Sequence, residues 1–250
     1  MGRRDAGSKI EKETLDELIM NAIRNNIPNA ITSLNLLFGS MACIAAFSCY
    51  DPVCGGLKGY QLAFLLIALS AVADFFDGLV ARLIHAVSGI GAELDSLADL
   101  VSFGLAPALI LYNMMLGHGC GHWALVTLLL PVFGALRLAR FNVDTNQTTT
   151  FTGLPIPANA IFWIGFTAWY AVYDEPMWIV LVAIVLLSLL MVCSLRMFSL
   201  KMHNLSSLKQ NWAQYLQVIA TVAFVALMGL PGLAAAIALY VVLSIVKREK

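Results

Sequence analysis

The stretch that decides the fold is residues 60–99, which read YQLAFLLIALSAVADFFDGLVARLIHAVSGIGAELDSLAD. Its first half is an apolar run about as long as a helix needs to cross a bilayer core of about 30 Å. Four acidic residues interrupt this apolar sequence: Asp74, Asp77, Asp95 and Asp99. An apolar run of this length favours a transmembrane helix. Charges inside such a helix are costly, so these acids are the first candidates for a functional site.

The rest of the chain has the same apolar character. Of its 250 residues, 60% are hydrophobic and 12% are charged. A soluble domain has roughly 45–50% apolar and about 25% charged residues, so we expect a membrane protein. The formal net charge is zero, which leaves no surplus of basic residues to neutralise phosphates, and nucleic acid is excluded as a partner. The charged N-terminus lacks an apolar run followed by a cleavage site, so no removable signal peptide is expected.

Eight apolar segments have lengths that fit, or nearly fit, a membrane span. They are Ala30–Cys49, Tyr60–Arg82, Glu93–Leu116, His122–Val143, Pro155–Tyr173, Met177–Leu195, Ala213–Leu230 and Gly232–Val246. Before them, apolar residues recur at helical spacing between charged ones, which predicts an amphipathic helix on the membrane surface or, equally, a cap packed over the bundle. The predicted fold is all-α, a polytopic transmembrane helix bundle of about eight spans. Residues 1–27 would form the N-terminal interfacial amphipathic helix and residues 28–250 a single integral-membrane domain.

The placement of basic residues predicts the orientation in the membrane. Lysines and arginines of short loops stay on the cytoplasmic side. With the N-terminus inside, each of the 15 basic residues except Lys58 lies at a cytoplasmic end. We therefore expect a multi-pass protein of the inner or plasma membrane, with both termini and the four acids on the cytoplasmic side. Cys49, Cys54 and Cys120 fall at or near outer loops, which leaves a disulfide among them open.

The four aspartates fall on two helical faces that can meet. Asp74 and Asp77 are three residues apart and share one face. Asp95 and Asp99 are four apart and share another. The turn between the two helices makes them antiparallel. Asp77 and Asp95 are then expected close to the turn, and Asp74 and Asp99 about one helical turn deeper. Arg82, the nearby basic residue, cannot offset four carboxylates. Two divalent cations would neutralise the four negative charges. Ligands that are all oxygen atoms favour Mg²⁺ or Mn²⁺, and a pair of such ions is typical of phosphoryl transfer.

The same residues resemble the signature of the CDP-alcohol phosphotransferase family, D-x2-D-G-x2-A-R-x8-G-x3-D-x3-D. Every fixed position is present: Asp74, Asp77, Gly78, Ala81, Arg82, Gly91, Asp95 and Asp99. Members of this family transfer a substituted phosphate from a CDP-linked donor to an alcohol and release CMP. The resemblance implies that the four aspartates hold two divalent cations, Mg²⁺ or Mn²⁺. It also implies that Asp99 is the general base for the incoming hydroxyl.

Five residues are expected to bind the donor, CDP-diacylglycerol. The resemblance implies that Gly78 and Ala81 let the cytidine nucleotide approach closely and that Arg82 lies near the diphosphate. Thr32 and Asn35 begin the first span at a depth that would let them meet the nucleotide. Polar residues at that position could equally cap a helix.

Further stretches are similar to the phosphatidylserine synthases of bacteria and archaea within this family. These are residues 95–108, 137–142 and 151–160. The resemblance implies that the hydroxyl of L-serine attacks CDP-diacylglycerol to give phosphatidylserine and CMP, in a homodimer among membrane lipids. Arg137 and Arg140 can bind the serine carboxylate or a lipid phosphate, and Asn142 could orient the amino group. Alternatively, the two arginines could be ordinary basic residues that flank a span on its cytoplasmic side, and Asn142 could cap a helix.

Two other functions remain open at this point. The acceptor could be glycerol phosphate or inositol phosphate, as in phosphatidylglycerophosphate or phosphatidylinositol-phosphate synthases, or serine could meet an ether-lipid donor, as in archaetidylserine synthases. A phosphorylated acceptor needs more basic residues than Arg137 and Arg140 provide. A cation-coupled transporter is the alternative from another class, although its acids would be expected near the middle of broken helices rather than near a cytoplasmic end.

Overall fold

The computed structural model describes residues 26–84, 89–143, 151–173, 175–198 and 211–246. Within these ranges the chain is mostly helical, and each of the eight predicted apolar segments coincides with one helix. The helices are α1 (Asn26–Phe47), α2 (Gly59–Leu83), α3 (Gly89–Gly117), α4 (Gly121–Val143), α5 (Ile156–Tyr170), α6 (Met177–Val192), α7 (Trp212–Met228) and α8 (Gly232–Val246). The predicted surface helix over residues 1–27 lies almost entirely outside the described residues.

Four of these helices, α1 to α4, are long and apolar enough to cross a membrane. The remaining four have 15 to 17 residues and are equally apolar in character. Such helices satisfy their own backbone hydrogen bonds, which a bilayer requires of any spanning segment. The chain is therefore a helical membrane protein, as its composition predicts.

Two short antiparallel strand pairs connect the helices. Strand β1 (Pro52–Cys54) pairs with β2 (Leu57–Lys58) between α1 and α2. Strand β3 (Phe151–Thr152), which precedes α5, pairs with β4 (Arg196–Met197), which follows α6. Strands of two or three residues are too short to show an alternating pattern, so the sequence did not predict them.

Helix α3 lies at the centre of the bundle. In its apolar window 56% of the residues are buried, against 33–39% in the other three long helices. Its middle, Leu100–Leu105, widens into a π-helical segment in which the Ala106 amide donates to the Val101 carbonyl, five residues back. Pro107 follows directly. Because proline has no amide hydrogen, one backbone hydrogen bond of the helix cannot form there, which favours a local change in the hydrogen-bond register. The widened segment begins directly after Asp99.

Helix α1 packs closely on this segment because Gly39 has no side chain. A Cβ atom at Gly39 would lie 2.8 Å from the Cα of Ser102, a distance that real Cβ atoms do not show. Glycine therefore lets the backbones of α1 and α3 approach each other. This contact brings the residues one turn earlier on α1 against the end of α3 that carries Asp99.

The end of the bundle opposite the aspartates is joined by aromatic residues. The phenol of Tyr50 lies 3.2 Å from Nε2 of His118. The His118 ring stacks on Tyr170, with ring centroids 4.3 Å apart. These contacts link the ends of α1, α3 and α5. The five cysteines, including the three that were predicted near outer loops, are all free thiols.

The last two helices share the core of the others. Helices α7 and α8 form a hairpin through a tight turn at Gly229, whose φ of 68° suits glycine. Helix α8 lies against α5, where Gly165 faces the backbone of Ala234. Tyr240 and Leu243 of α8 belong to the same apolar cluster as the buried residues of α3 to α6. The C-terminal hairpin is thus packed into the bundle.

Candidate active site

Three of the four intramembrane aspartates meet at one point. Asp74 on α2 and Asp95 and Asp99 on α3 each present a carboxylate oxygen, and these three oxygens lie within 4.8 Å of one another. All three side chains are half-buried. Residues from two helices converge because each pair occupies one helical face and the two helices run side by side.

Asp77 lies next to this group and is more deeply buried than expected. It belongs to α2 and is 6% exposed, although the sequence placed it at a shallow level. The Thr32 side chain of α1 lies within hydrogen-bond reach of its carboxylate. The charge of Asp77 acts on Asp74 and Asp95, so all four carboxylates form one electrostatic unit.

The carboxylate oxygens are suited to divalent cations. Oδ2 of Asp77 and Oδ1 of Asp95 are buried without any hydrogen-bond donor. A buried carboxylate oxygen without a donor is costly, and a cation removes that cost. The ligand set is oxygen alone, which fits Mg²⁺ or Mn²⁺ better than zinc. Within the described ranges, no second group of three such acidic, histidine or cysteine side chains is found.

Asn35 of α1 contacts the acidic group through its side-chain amide. Its Nδ2 donates to Oδ1 of Asp99 across 3.4 Å, and its Oδ1 accepts a 2.7 Å hydrogen bond from Ser102. The Asn35 side chain is completely buried. Thr32, one turn earlier, is also buried and donates its hydroxyl hydrogen to the carbonyl of Pro28.

The face of α2 around Gly78 is uncovered. Apart from the two neighbouring residues and the nearby backbone of α2 itself, no heavy atom of the described residues lies within 4 Å of the position that a Cβ at Gly78 would take. Arg82 is exposed and folds back, its Nε donating to the Gly78 carbonyl across 2.8 Å. Ala81 is half-buried on the same helix. A large group can therefore approach α2 here, directly beside the aspartates.

Arg137 of α4 joins the acidic group to a neighbouring pocket. Its guanidinium interacts electrostatically with Asp99, and with Tyr240 of α8. Its Nε is buried and has no hydrogen-bond partner. The pocket has a volume of about 610 Å³ and lies between the ends of α4 and α6. It is lined by Leu136, Arg137, Ala139, Arg140, Phe141, Val143, Thr152, Met191, Val192, Cys193 and Ser194.

The other two residues expected to bind the acceptor tie α4 to its neighbours. Arg140 lines the pocket, and its Nη1 donates a 2.8 Å hydrogen bond to the carbonyl of Val192 at the end of α6. Asn142 donates from Nδ2 to the hydroxyl of Ser96 on α3 across 3.0 Å. Ser96 directly follows Asp95, so this bond holds the end of α4 against the helix that carries the acids.

Three residues that interact with predicted site residues, without being part of the site themselves, were not identified from the sequence. Ser70 and Ser102 donate to Asn35, and Tyr240 interacts electrostatically with Arg137. The two serines are ordinary small residues of apolar helices, and Tyr240 belongs to the last helix. The one usable signal was the position of Ser102, three residues after Asp99 and near the same helical face.

An all-oxygen cluster of aspartates in a bundle of apolar helices, with an arginine beside it, has the composition of a membrane-embedded phosphotransferase site. The family model described as CDP-alcohol phosphatidyltransferase matches residues 25–190, and the chain belongs to this family. The matched range contains the four aspartates and the three α4 residues, whereas Tyr240 lies beyond it. Divalent cations are general to the family, and this chain has an acidic cluster that could hold one.

Several relatives share the name CDP-diacylglycerol--serine O-phosphatidyltransferase. The Helicobacter pylori J99 protein is 41% identical over 137 residues, which is 54% of this chain and 54% of the relative. The Mycobacterium tuberculosis H37Rv protein is 39% identical over 159 residues, 61% of this chain and 52% of the relative. The Methanocaldococcus jannaschii protein is 40% identical over 141 residues, 56% and 59% of the two chains. The chain thus spans about half the length of the curated relatives it matches.

Proposed function

We propose that this protein transfers the phosphatidyl group of CDP-diacylglycerol to the hydroxyl of L-serine and releases CMP. The observation that carries the proposal is the meeting of Asp74, Asp95 and Asp99 within 4.8 Å. Arg137 beside Asp99 supplies the positive charge that an amino-acid acceptor needs. Serine as acceptor is supported by relatives of about 40% identity, whose names specify that reaction.

The four aspartates are the proposed ligands of two divalent cations, Mg²⁺ or Mn²⁺. When bound, such cations neutralise the diphosphate of the donor and the charge that develops on the transferred phosphate. Asp77 and Asp95 each have one buried oxygen without a hydrogen-bond donor, and a bound cation would give both oxygens a partner. The carboxylates also fix where the diphosphate lies, between α2 and α3.

Asp99 is the proposed general base. Its carboxylate takes the proton of the serine hydroxyl as the hydroxyl oxygen forms a bond to the lipid-side phosphorus. The bond between that phosphorus and the oxygen bridging to the CMP phosphate breaks, and its electron pair leaves with CMP. The hydrogen bond from Asn35 goes to Oδ1 of Asp99, so Oδ2 is the oxygen proposed to face the acceptor.

The donor nucleotide is proposed to lie on the uncovered face of α2. Gly78 and Ala81 present little side chain there, so the cytidine can pack against the helix backbone. Arg82 is exposed and can turn from the Gly78 carbonyl to the diphosphate. Thr32 and Asn35 of α1 are both buried, and we propose that they adjoin the nucleotide through Asp77 and Asp99.

The acceptor is proposed to enter through the pocket beside Arg137. A guanidinium binds a carboxylate through two parallel hydrogen bonds, and the buried Nε of Arg137 has no other partner. Arg140 lines the same pocket and can add a second positive charge, while Asn142 stands at the end of α4. The pocket of about 610 Å³ exceeds what serine alone needs, so the lipid phosphate can share it.

A panel of acceptors tests this function. Purified protein is given CDP-diacylglycerol, Mn²⁺ or Mg²⁺ and, separately, serine, glycerol phosphate, inositol phosphate or no acceptor, and CMP release is followed. We expect release that depends on serine and on the cation. If CMP is released with a phosphorylated acceptor and not with serine, the proposed acceptor is wrong. If folded protein releases no CMP with any acceptor, the proposed transferase function is wrong.

We further propose that the chain crosses the inner or plasma membrane eight times, with both termini and the site on the cytoplasmic side. The alternation of helices supports this arrangement, because the β1–β2 pair and the aspartates lie at opposite ends. Cys54 is exposed in β1 and Arg196 is exposed in β4. In single-cysteine variants, a membrane-impermeant maleimide added to intact cells should label Cys54 and leave Arg196→Cys unlabelled. The reverse pattern would overturn the orientation.

The remaining proposals concern domain and assembly. Residues 28–250 are proposed to form one domain, which the shared apolar core of α3 to α8 supports. Residues 1–27 are proposed as a surface helix, and the functional unit as a homodimer, an expectation from family resemblance. The mass of the protein in mild detergent, measured by native mass spectrometry, tests the dimer, and a monomeric mass with full activity would contradict it.

A further inference from the structure

A chain of hydrogen bonds runs from Ser102 through Asn35 to Asp99. The Ser102 hydroxyl donates to Oδ1 of Asn35 across 2.7 Å, and Nδ2 of Asn35 donates to Oδ1 of Asp99 across 3.4 Å. Ser102 and Asn35 are both completely buried. Water cannot replace either bond, so the side chains must satisfy each other.

The first bond decides which way the amide of Asn35 faces. An asparagine amide has a donor end and an acceptor end of nearly the same shape. Reversed, it would direct its oxygen at a carboxylate oxygen of Asp99, and two acceptors would repel each other. The Ser102 hydroxyl, a donor placed at the Oδ1 position, favours the orientation in which the NH₂ group faces Asp99.

The backbone around Ser102 keeps this geometry in place. Ser102 lies in the π-helical segment that begins directly after Asp99, so one irregular turn sets both side chains. Gly39 allows α1 to lie against that turn, with its Cβ position 2.8 Å from the Cα of Ser102. Irregular turns of this kind are frequent at functional sites, where they aim a side chain that a regular helix would direct elsewhere.

A second serine, Ser70, also contacts Asn35, but at its backbone and not at its side-chain amide. Ser70 of α2 is also completely buried, and its hydroxyl donates to the backbone carbonyl of Asn35 across 3.1 Å. The Ser102 hydroxyl lies at the same 3.1 Å from that carbonyl, but of these two hydroxyls it is the one that donates to the side-chain amide oxygen. Ser70 thus contributes to packing at the same residue without acting on the amide.

We propose that Ser102 is a positioning residue, whose hydroxyl orients the Asn35 amide and through it holds the Asp99 carboxylate in the geometry that the reaction requires. This inference rests on the proposed function for the role of Asp99 and on the structure for the geometry. Ser102 touches neither substrate, so it acts through Asn35 alone. Residues that orient a metal-ligating or basic side chain in this way are typically worth about 10- to 100-fold in metal affinity or activity.

Ser102→Ala and Ser70→Ala form the matched pair of variants. Each removes one buried hydroxyl beside Asn35, and only the first removes the donor to the amide. For Ser102→Ala we expect kcat to fall about 10-fold or more with the KM for CDP-diacylglycerol within about twofold of wild type. For Ser70→Ala we expect both constants to stay within about twofold. Equal losses in the two variants would mean a packing role and would overturn the proposal.

A double variant tests whether the effect passes through Asn35. If it does, Ser102→Ala combined with Asn35→Ala should be no slower than Asn35→Ala alone, because the amide is already absent. A further loss of about 10-fold in the double variant would show that Ser102 acts by another route and would contradict the proposal. The melting temperature of each variant accompanies the kinetics.

Binding of Mn²⁺ without substrates separates this proposal from the proposed function. We expect the dissociation constant for Mn²⁺, followed by electron paramagnetic resonance, to rise about 10-fold in Ser102→Ala and to remain unchanged in Ser70→Ala. This measurement stands even if wild-type protein releases no CMP from any acceptor, a result that would remove the proposed function alone. Unchanged Mn²⁺ affinity in Ser102→Ala together with unchanged kcat would remove the positioning role.

Discussion

Arg137 on α4 interacts electrostatically with Asp99 on α3, although the two residues belong to separate helices. A positive charge therefore acts on the carboxylate proposed to take the acceptor's proton. Serine carries a carboxylate and a hydroxyl on neighbouring carbon atoms, so its acceptor site needs a cation and a base close together. The relationship between Arg137 and Asp99 provides that pair of groups.

Replacing Arg137 with lysine should weaken acceptor binding. Lysine keeps the charge but loses the planar pair of donors that fits a carboxylate. We expect the KM for serine to rise about 10- to 100-fold, which corresponds to the roughly 1.5–3 kcal/mol typical of hydrogen bonds to charged groups. The KM for CDP-diacylglycerol should change little. Arg196→Lys, the same exchange at an exposed arginine, is the control, and equal effects in both variants would contradict the role of Arg137.

Replacing Asp99 with asparagine should remove the general base while leaving the shape of the site intact. We expect CMP release to fall about 10²- to 10⁴-fold, the range typical of positioned acid–base groups. Binding of CDP-diacylglycerol, measured by isothermal calorimetry, should be largely retained. Asp51→Asn makes the same change at an exposed acid beside β1 and should leave the rate unaltered. A near-normal rate in Asp99→Asn would remove it as the base.

Replacing Asp95 with asparagine should raise the melting temperature of the metal-free protein and reduce the stabilisation that Mn²⁺ provides. Oδ1 of Asp95 is buried without a donor, and the side chain repels Asp74 and Asp77. Without divalent cations, we expect the variant to melt at a higher temperature than wild type, because one of the repelling charges is gone. With Mn²⁺, wild type should gain stability and the variant much less. If wild type, treated with a chelator, melts at the same temperature after Mn²⁺ is added, the cation site is contradicted.

Two glycines should respond differently to alanine. Gly39→Ala forces a Cβ against Ser102, and overpacking of this kind typically costs about 1–3 kcal/mol of stability. Gly78→Ala meets nothing within 4 Å and should keep the stability or raise it by up to about 1 kcal/mol. We expect Gly78→Ala to raise the KM for CDP-diacylglycerol, because the methyl group occupies the face proposed for the nucleotide. An unchanged KM would place the nucleotide elsewhere.

The sequence predicted the helices and the acidic faces because both depend on local features. Apolar length sets the helices, and the three- and four-residue spacings place Asp74, Asp95 and Asp99 on faces that meet. The burial of Asp77 depends on tertiary packing, which includes Thr32 of another helix, so it was not foreseen. Arg137 was expected near the acceptor on topological grounds, but its interaction with Asp99 required the packing of α4 on α3.

The parts that sequence analysis missed depend on tertiary contacts. Ser102 reaches Asn35 only because α3 becomes π-helical after Asp99 and α1 comes close at Gly39. A serine in an apolar run carries no sign of this. Tyr240 lies in a helix beyond the family match, and its place beside Arg137 follows from the packing of α8 on α5. Such relationships join positions far apart in the chain, which residue spacing does not encode.

The central claim is that the serine hydroxyl attacks the lipid-side phosphorus at the cluster of Asp74, Asp95 and Asp99. The most direct measurement supplies serine with a heavy oxygen isotope in its hydroxyl, together with CDP-diacylglycerol and Mn²⁺, and analyses both products by mass spectrometry. We expect the isotope in the phosphodiester of phosphatidylserine and none in CMP. Isotope in CMP, or CMP release without a labelled lipid, would contradict it.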